Sequence, residues 1–415
     1  MSVPQDGVQG KASTSRRNFL LAPILFGAGA IFRKIVPYQE ASAQTADAPQ
    51  APVNDAAQAA IERHYGPSSA GGAVAEVYQK ARAALYPVCR VCPQCDGVAC
   101  AGEFPGMGGI GSGMSFQNNF NDLHQIRLKA RILNAVGPLD RKPDTSTVLF
   151  GQKISLPAMA APMAGLVFNF GHRISEADFF DALVGGCADA GTLGAIGDGS
   201  SDPKDVVQAR FENIGRNHGR AIAGIKPRQQ APFLEVIKLA EAQNAAMITI
   251  DIDSAARYGL ARDWRTGVST KTIPELRELI HSTRIPFLIK GIMSVEDAML
   301  AAETGAAGIV VSNHGGRVLD STPGTAAVLP VIAKKVGSKM TILVDGCVSS
   351  GVDVLKYLAL GANGVLVGRH LVRAAFGGGR KGVQLFMETM RNELESAMVM
   401  VGTANISAIN HTVLA

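Results

Sequence analysis

From Ser155 onward the chain alternates short, almost wholly apolar runs with longer stretches in which apolar residues recur every three or four positions. The runs are LPAMAAPM, TLGAIG, AIAGIK, AAMITIDI, PFLIKGI, AGIVVSN, TILVDG and GVLVGR. They are too short for stable helices and several are rich in Ile and Val, so each predicts a buried strand. Between them lie SEADFFDALVGGCADAG, FLEVIKLAEAQN, IPELRELIHST, VEDAMLAAETG, AAVLPVIAKKV and SGVDVLKYLALG, which carry a helix-period stripe. Eight strands alternating with helices, with no long polar gap, predict an α/β fold, a (β/α)8 TIM barrel. An open doubly wound sheet is the competitor, but it usually has fewer strands. The tail from Leu371 to Gly402 predicts a long amphipathic helix, interrupted by glycines, that closes the barrel.

Polar residues gather at one end of these runs. Asp251, Lys290, Ser312, His314, Asp345 and Arg369 all stand at or just past a strand's carboxyl end, the face that carries the active site in such barrels. A charged group there needs a partner or a ligand. In SNHGGRVLD, directly after AAGIVV, only two glycines separate His314 from Arg317. A guanidinium fork suits a carboxylate. The neighbouring imidazole can take a proton from the carbon or hydroxyl beside that carboxylate. Asp251 would orient the imidazole and stabilise its protonated form. The glycines would leave room for something flat and large to approach the backbone. DGCVSSG and GR, after the seventh and eighth runs, offer backbone N–H groups and a cation at the usual phosphate site of these barrels. Singly, His314 reads as a structural histidine, Arg317 as half of a surface salt bridge and Lys290 as a solvated rim residue. Their convergence favours a site.

Composition narrows the classes. The 415 residues are 47% hydrophobic and 18% charged, which allows a large core and argues against long disordered tracts. Of the formal charge of +5, residues 1–43 hold +3, and the remainder shows no basic run interleaved with aromatics. Nucleic-acid binding is therefore not expected. STSRRNFLLAPILFGAGAIF puts Arg16 and Arg17 before an apolar stretch of about 14 residues, short of the ~20 that span a bilayer. With small residues at Ala41 and Ala43, it resembles a twin-arginine signal cleaved after Ala43. The expected location is periplasmic or exported, membrane-tethered if the segment stays uncleaved. Residues 44–75 read as a flexible Ala/Pro linker, 76–130 as a cysteine-bearing extension and 131–415 as the barrel.

In that extension CRVCPQCDGVAC sets Cys89, Cys92, Cys95 and Cys100 at spacing C-x2-C-x2-C-x4-C. Four thiols within twelve residues are typical of metal ligation. The first three resemble ferredoxin-like iron–sulfur ligands. Zinc, which more often uses two separated pairs, and two disulfides stay open beside the iron–sulfur reading.

QIRLKARIL, IKGIMSVEDA, IVVSNHGGRVLD and DGCVSSGVDVLKYLALGANGVLVGR resemble the FMN-dependent α-hydroxy-acid dehydrogenase/oxidase family, glycolate and lactate oxidases among them, over roughly Gly102 to the C-terminus. The resemblance implies FMN as cofactor and oxidation of a 2-hydroxy acid, a small carboxylate, to the 2-oxo acid. His314 would be the base, assisted by Asp251, and Arg317 the carboxylate clamp. Lys290 would meet the flavin N1/O2 edge and Ser312 the flavin. Asp345, Gly346, Gly368 and Arg369 would hold the ribityl chain and phosphate. Ala161, Pro162, Met163 and Thr249 would meet the isoalloxazine. Relatives commonly form homo-oligomers.

The departures matter as much. Cys347 and Ser349 stand where the family usually has the second glycine and the arginine of Asp-Gly-Gly-x-Arg. GIKPR offers Lys226 where relatives place a substrate-binding tyrosine, and FPGMGGIGSG holds no tyrosine at all. Such a pocket suits a substrate that is larger or carries a second anion. The electron acceptor would be oxygen or, if a cluster is present, a periplasmic redox carrier. The alternative is an exported metal- or electron-carrying protein on a catalytically altered FMN barrel.

Overall fold

The computed structural model describes residues 72–134, 142–199, 202–256 and 267–415. The twin-arginine segment and most of the Ala/Pro linker lie outside the described residues. All eight expected strands form: β1 (Ala158–Ala160), β2 (Gly194–Gly197), β3 (Ala221–Ile225), β4 (Met247–Asp251), β5 (Phe287–Ile292), β6 (Gly308–Val311), β7 (Thr341–Val344) and β8 (Gly364–Val367). Nearly every residue in them is buried, as expected when helices cover a parallel sheet from outside and side chains fill it from within. They pair in parallel in the order β1-β8-β7-β6-β5-β4-β3-β2. The amide of Ala160 donates to the carbonyl of Leu193 (3.0 Å), which brings the two edges of the sheet together as a barrel.

The helices are α1 (Ala73–Leu85), α2 (Met114–Gln125), α3 (Lys204–Arg216), α4 (Gln230–Ala242), α5 (Ile273–His281), α6 (Val295–Glu303), α7 (Thr325–Val336), α8 (Gly351–Ala359) and α9 (Arg369–Val401). Short helical turns over residues 166–189 join β1 to β2. Local chemistry sets several of the helix starts. Thr272 and Glu275 form a capping box on α5, and Ser350 and Asp353 form one on α8. Helix α3 is absent from the sequence reading, although Val207, Phe211 and Ile214 recur at helix spacing and are buried. Helix α9 breaks at Gly379, where the glycine run predicted an interruption. Among the described residues no helix is long and apolar enough to cross a membrane.

The N-terminal extension joins the same core. Val74, Tyr78, Ala81 and Leu85 of α1 are buried with the barrel's outer helices, and the Tyr78 hydroxyl lies 2.7 Å from Nδ1 of the buried His370 on α9. Burial and the nearby Arg373 and Arg369 hold His370 well below the usual histidine range, so its ring is neutral near pH 7. Tyr78→Phe leaves that imidazole nitrogen unsatisfied, and the expected loss is about 1–3 kcal/mol of unfolding free energy. Urea unfolding of the two proteins measures it, and equal midpoints would show that the extension adds nothing here.

Candidate active site

The barrel register places the charges. Asp251, the last residue of β4, lies beside Lys290 on β5. The Lys290 ammonium donates to Ser312 Oγ (3.0 Å), and that hydroxyl donates to Asp345 Oδ2 (2.7 Å). Lys290 Nζ also lies 3.5 Å from Asp345 Oδ2 and 4.0 Å from Asp251 Oδ1. Burial would push Lys290 down, but Asp345, Asp251 and Asp253 outweigh it and hold the ammonium above the ordinary lysine range. Burial raises Asp345 against the opposing pull of Lys290.

His314 sits just past β6 in the left-handed region (φ 58°), its amide donating to Ser312 Oγ (3.0 Å). Sequence reasoning gave its imidazole to Asp251. The structure instead puts Nδ1 at 3.1 Å from Asp253 Oδ1 and 3.3 Å from Oδ2, while Asp251 Oδ2 accepts from Lys226 Nζ at 2.6 Å. The reason is local. After β4 the chain turns into a short 3-10 helix, Ile252–Ala256, which swings Asp253 towards β5. There the ladder is irregular at Gly291 (φ 105°), where a Cβ would lie 2.7 Å from the Asp253 Cβ. Only glycine leaves that space. Burial raises Asp253, offset in part by Lys290 and Lys226; burial also raises Asp251, but Lys226 and Lys290 more than reverse it.

Beyond His314 both glycines are crowded by protein groups, and Gly315 also faces the cavity at the barrel mouth. A Cβ at Gly315 would lie 2.6 Å from an Arg369 nitrogen, and one at Gly316 would lie 2.5 Å from the Phe116 amide. Arg317 lies over the Phe104 ring (4.8 Å to the centroid) and donates to Asn169 Oδ1 (2.7 Å) and to the carbonyl of Gly106. Arg369 donates to the carbonyls of Met107 (2.7 Å) and Gly315 (2.8 Å) and stacks 3.7 Å from the Phe116 centroid. The glycine-rich segment after Phe104 therefore ties both arginines to the barrel mouth. In the loop after β7, Cys347 has φ 55°. The amides of Ser349 and Ser350 donate to Asp353 Oδ2 (2.9 and 3.1 Å) as part of the α8 cap, so they are not the phosphate donors that sequence suggested.

A single cavity of about 550 Å3 gathers these groups. Ala161, Pro162, Met163, Lys226, Lys290, His314, Arg317, Asp345, Gly346, Cys347, Gly368 and Arg369 line it. Thr249, Asp251 and Ser312 are not among its lining residues. The walls also hold Phe104, Phe168 and Asn169, which sequence reasoning did not select because they reach the site from distant loops. The residues fit a flavin mononucleotide. The buried Thr249 hydroxyl and one oxygen of Asp345 have no protein partner, Lys290 supplies a fixed cation, and Gly368 leaves the floor near Ala161 open.

A second, small cavity adjoins it. Cys89, Cys92, Cys95 and Cys100 line it together with Met107 and Arg373. Cys95 and Met107 belong to both cavities. All six cysteines are unpaired, so the disulfide reading does not describe this structure. Burial pushes the Cys100 thiol up to about 11. Among the described residues no three ligand-type side chains converge as a single metal ion needs.

Comparison with known proteins agrees with this architecture. The chain is 30% identical to a 2-hydroxyacid oxidase of Dictyostelium discoideum over 334 residues, 72% of this chain and 82% of that protein. It is 31% identical to glycolate oxidase 3 of Arabidopsis thaliana over 72% of this chain and 87% of that one. An L-lactate dehydrogenase of Caulobacter vibrioides is 47% identical over 130 residues, 31% of this chain and 34% of that protein. A crystal structure of mandelate oxidase superposes with TM-score 0.67 at 27% identity, covering 82% of this chain and 97% of that one. A family model described as FMN-dependent dehydrogenase matches residues 106–277 and 268–415, and the chain belongs to that family of FMN-dependent oxidoreductases.

Proposed function

We propose that this enzyme oxidises a 2-hydroxy acid to the 2-oxo acid, with His314 as base and Arg317 as carboxylate clamp beside bound FMN. The observation that carries the reading is the pairing of Asp253 with Nδ1 of His314, which lines the same cavity as Arg317 and Lys290. A proton held on Nδ1 towards Asp253 leaves Nε2 with the lone pair that accepts a proton. The substrate's C–OH unit loses one C–H and one O–H bond as it becomes C=O, and His314 takes a proton from it. Arg317 fixes the neighbouring carboxylate. FMN supplies the two-electron oxidation. Lys290, Asp345, Gly346, Gly368, Arg369 and the backbone of residues 161–163, which line the cavity, would hold it, with Ser312 and Thr249 buried behind them.

Two refinements follow from the geometry. Asp253 takes the orienting part that sequence gave to Asp251, and Lys226 is neutralised by Asp251 and does not wait for a second substrate anion. Phe104 packs edge-on against Phe168 (5.9 Å) beside Arg317, which favours an apolar group on the hydroxy acid. The same reading assigns Cys89, Cys92, Cys95 and Cys100 to an iron–sulfur centre. The unbroken arrangement of His314, Asp253, Arg317 and Lys290 speaks for an active enzyme over an altered barrel that only carries electrons.

His314→Ala should keep its FMN yet reduce it with a 2-hydroxy acid some ~10²–10⁴-fold more slowly in anaerobic stopped-flow. An unchanged rate would remove His314 as base. Asp253→Asn takes away the anion that favours the protonated imidazole. The histidine's pKa therefore falls, and the acid limb of kcat/KM moves to lower pH as the maximum drops. Gly291→Ala, which pushes on Asp253, should reproduce that profile; a profile that moves in Asp251→Asn but not in Asp253→Asn would return the role to Asp251. Across a substrate panel, hydroxy acids with aromatic or branched apolar groups should show higher kcat/KM than hydroxy dicarboxylates. The reverse order, abolished in Lys226→Ala, would restore Lys226 as an anion subsite.

A further inference from the structure

We propose that Cys89, Cys92, Cys95 and Cys100 ligate an iron–sulfur cluster built against the wall of the FMN cavity, with the buried guanidinium of Arg373 as its counter-charge and the cluster as the outlet for electrons. The inference deepens the functional reading above and rests on the large cavity being the FMN site.

The strongest observation is Arg373. It is 3% exposed and lines the cysteine cavity. It donates to Cys95 Sγ (3.1 Å) and, at 3.4 Å, to the carbonyl of Cys92, and its Nε is buried with no partner. No carboxylate among the described residues forms an ion pair with it. A buried arginine cannot shed its proton, and a buried charge requires an opposite one. The groups that can supply it are the sulfurs, and neutral thiols do not. Four thiolates on a metal centre do, because ligating cysteine is deprotonated.

The kind of centre follows from the spacing of the thiols along the chain. All four line one small cavity, and none is paired in a disulfide. Among the described residues no three ligand-type side chains converge on a preformed single-ion site, so the choice of centre rests on spacing, and zinc more often uses two separated pairs. Four thiolates would serve a 4Fe–4S cluster, one on each iron, or a 2Fe–2S cluster, two on each. The C-x2-C-x2-C run belongs to that ligation pattern, while the fourth spacing, x4, is this chain's own.

Position then gives the centre a task. Cys95 and Met107 line both cavities, and Cys347, from the loop after β7, sets its thiol 3.9 Å from the carbonyl of Cys95. One layer of side chains thus separates the cysteine site from the cavity where substrate is oxidised. Conversion of CH–OH to C=O releases two electrons and two protons. A cluster passes electrons singly, so two successive transfers reduce two equivalents of an external one-electron carrier, and the protons leave to solvent.

The test uses the full chain, expressed and purified without oxygen. Iron and acid-labile sulfide should be present in equal amounts together with FMN, and dithionite should produce the EPR signal of a reduced cluster. Cys92→Ser and Cys100→Ser should lose iron and sulfide while keeping the flavin absorbance. FMN with zinc, with iron but no sulfide, or with no metal overturns the cluster and leaves the flavin reading standing; a chain that never takes up FMN sinks the reading beneath it. Addition of the panel's best hydroxy acid without oxygen should also raise the cluster's EPR signal. A signal that dithionite elicits and substrate does not would remove the electron-outlet role. Arg373→Gln should lower the cluster's midpoint potential, because the lost cation favours the reduced, more negative form, and Arg373→Lys should restore part of it. Equal potentials in the wild type and Arg373→Gln would show that Arg373 is no counter-charge.

Discussion

Buried charge at the carboxyl ends of the strands is the constraint on which this site depends. Lys290 cannot stay ionised inside a barrel unless acids surround it, and Asp251 and Asp345 do so from the ends of β4 and β7, with the Ser312 hydroxyl accepting from it after β6. Each group is tolerated only because the others are fixed. Parallel pairing supplies the fixing, since it sets Asp251 directly beside Lys290 and brings the ends of β6 and β7 level with them. The result is a buried cation at the cavity wall, which the proposed function sets against an electron-rich ring edge.

Around that point the chain divides its acids and cations by task. Lys226 neutralises Asp251, which frees Asp253 to face His314. The division works because Gly291 breaks the β5–β6 register and leaves space for Asp253. Arg317 and Arg369 are held from the other side by carbonyls of the glycine-rich segment after Phe104. The N-terminal extension is thus part of the active site as well as part of the core, and the cysteine cavity that it builds shares a wall with the flavin cavity.

The barrel was legible in the sequence because strands buried on both faces must read as continuous apolar runs. The candidate site was legible where chemistry coincides with a strand end: Lys290, His314, Asp345 and Arg369 line one cavity with Arg317, three residues from His314, and Ser312 bridges Lys290 and Asp345. What escaped was set by geometry that spacing does not carry. Asp253 lies two residues beyond a strand end and reaches His314 only through a helical turn, although the second acid in IDID and the glycine of IKG were signals that could have marked it. The double glycine after His314 suggested room for a ligand; Gly315 does face the cavity, and the pair also admits Arg369 and Phe116. The serine amides of DGCVSSG looked like phosphate donors and are bound by the carboxylate of their own helix cap. Asn169, in the short helical turn after β1, and Phe104, in the extension, are far from Arg317 in the chain, and nothing in their neighbourhood marks them.

The central claim is that an imidazole oriented by Asp253 and a guanidinium share one 2-hydroxy acid next to FMN. A crystal structure of the FMN-loaded enzyme with a bound 2-oxo acid tests it most directly. The account predicts the carboxylate on Arg317, the keto oxygen within hydrogen-bond reach of His314 Nε2, and Nδ1 still on Asp253. A carboxylate held by Lys226, or an imidazole turned onto Asp251, would contradict it.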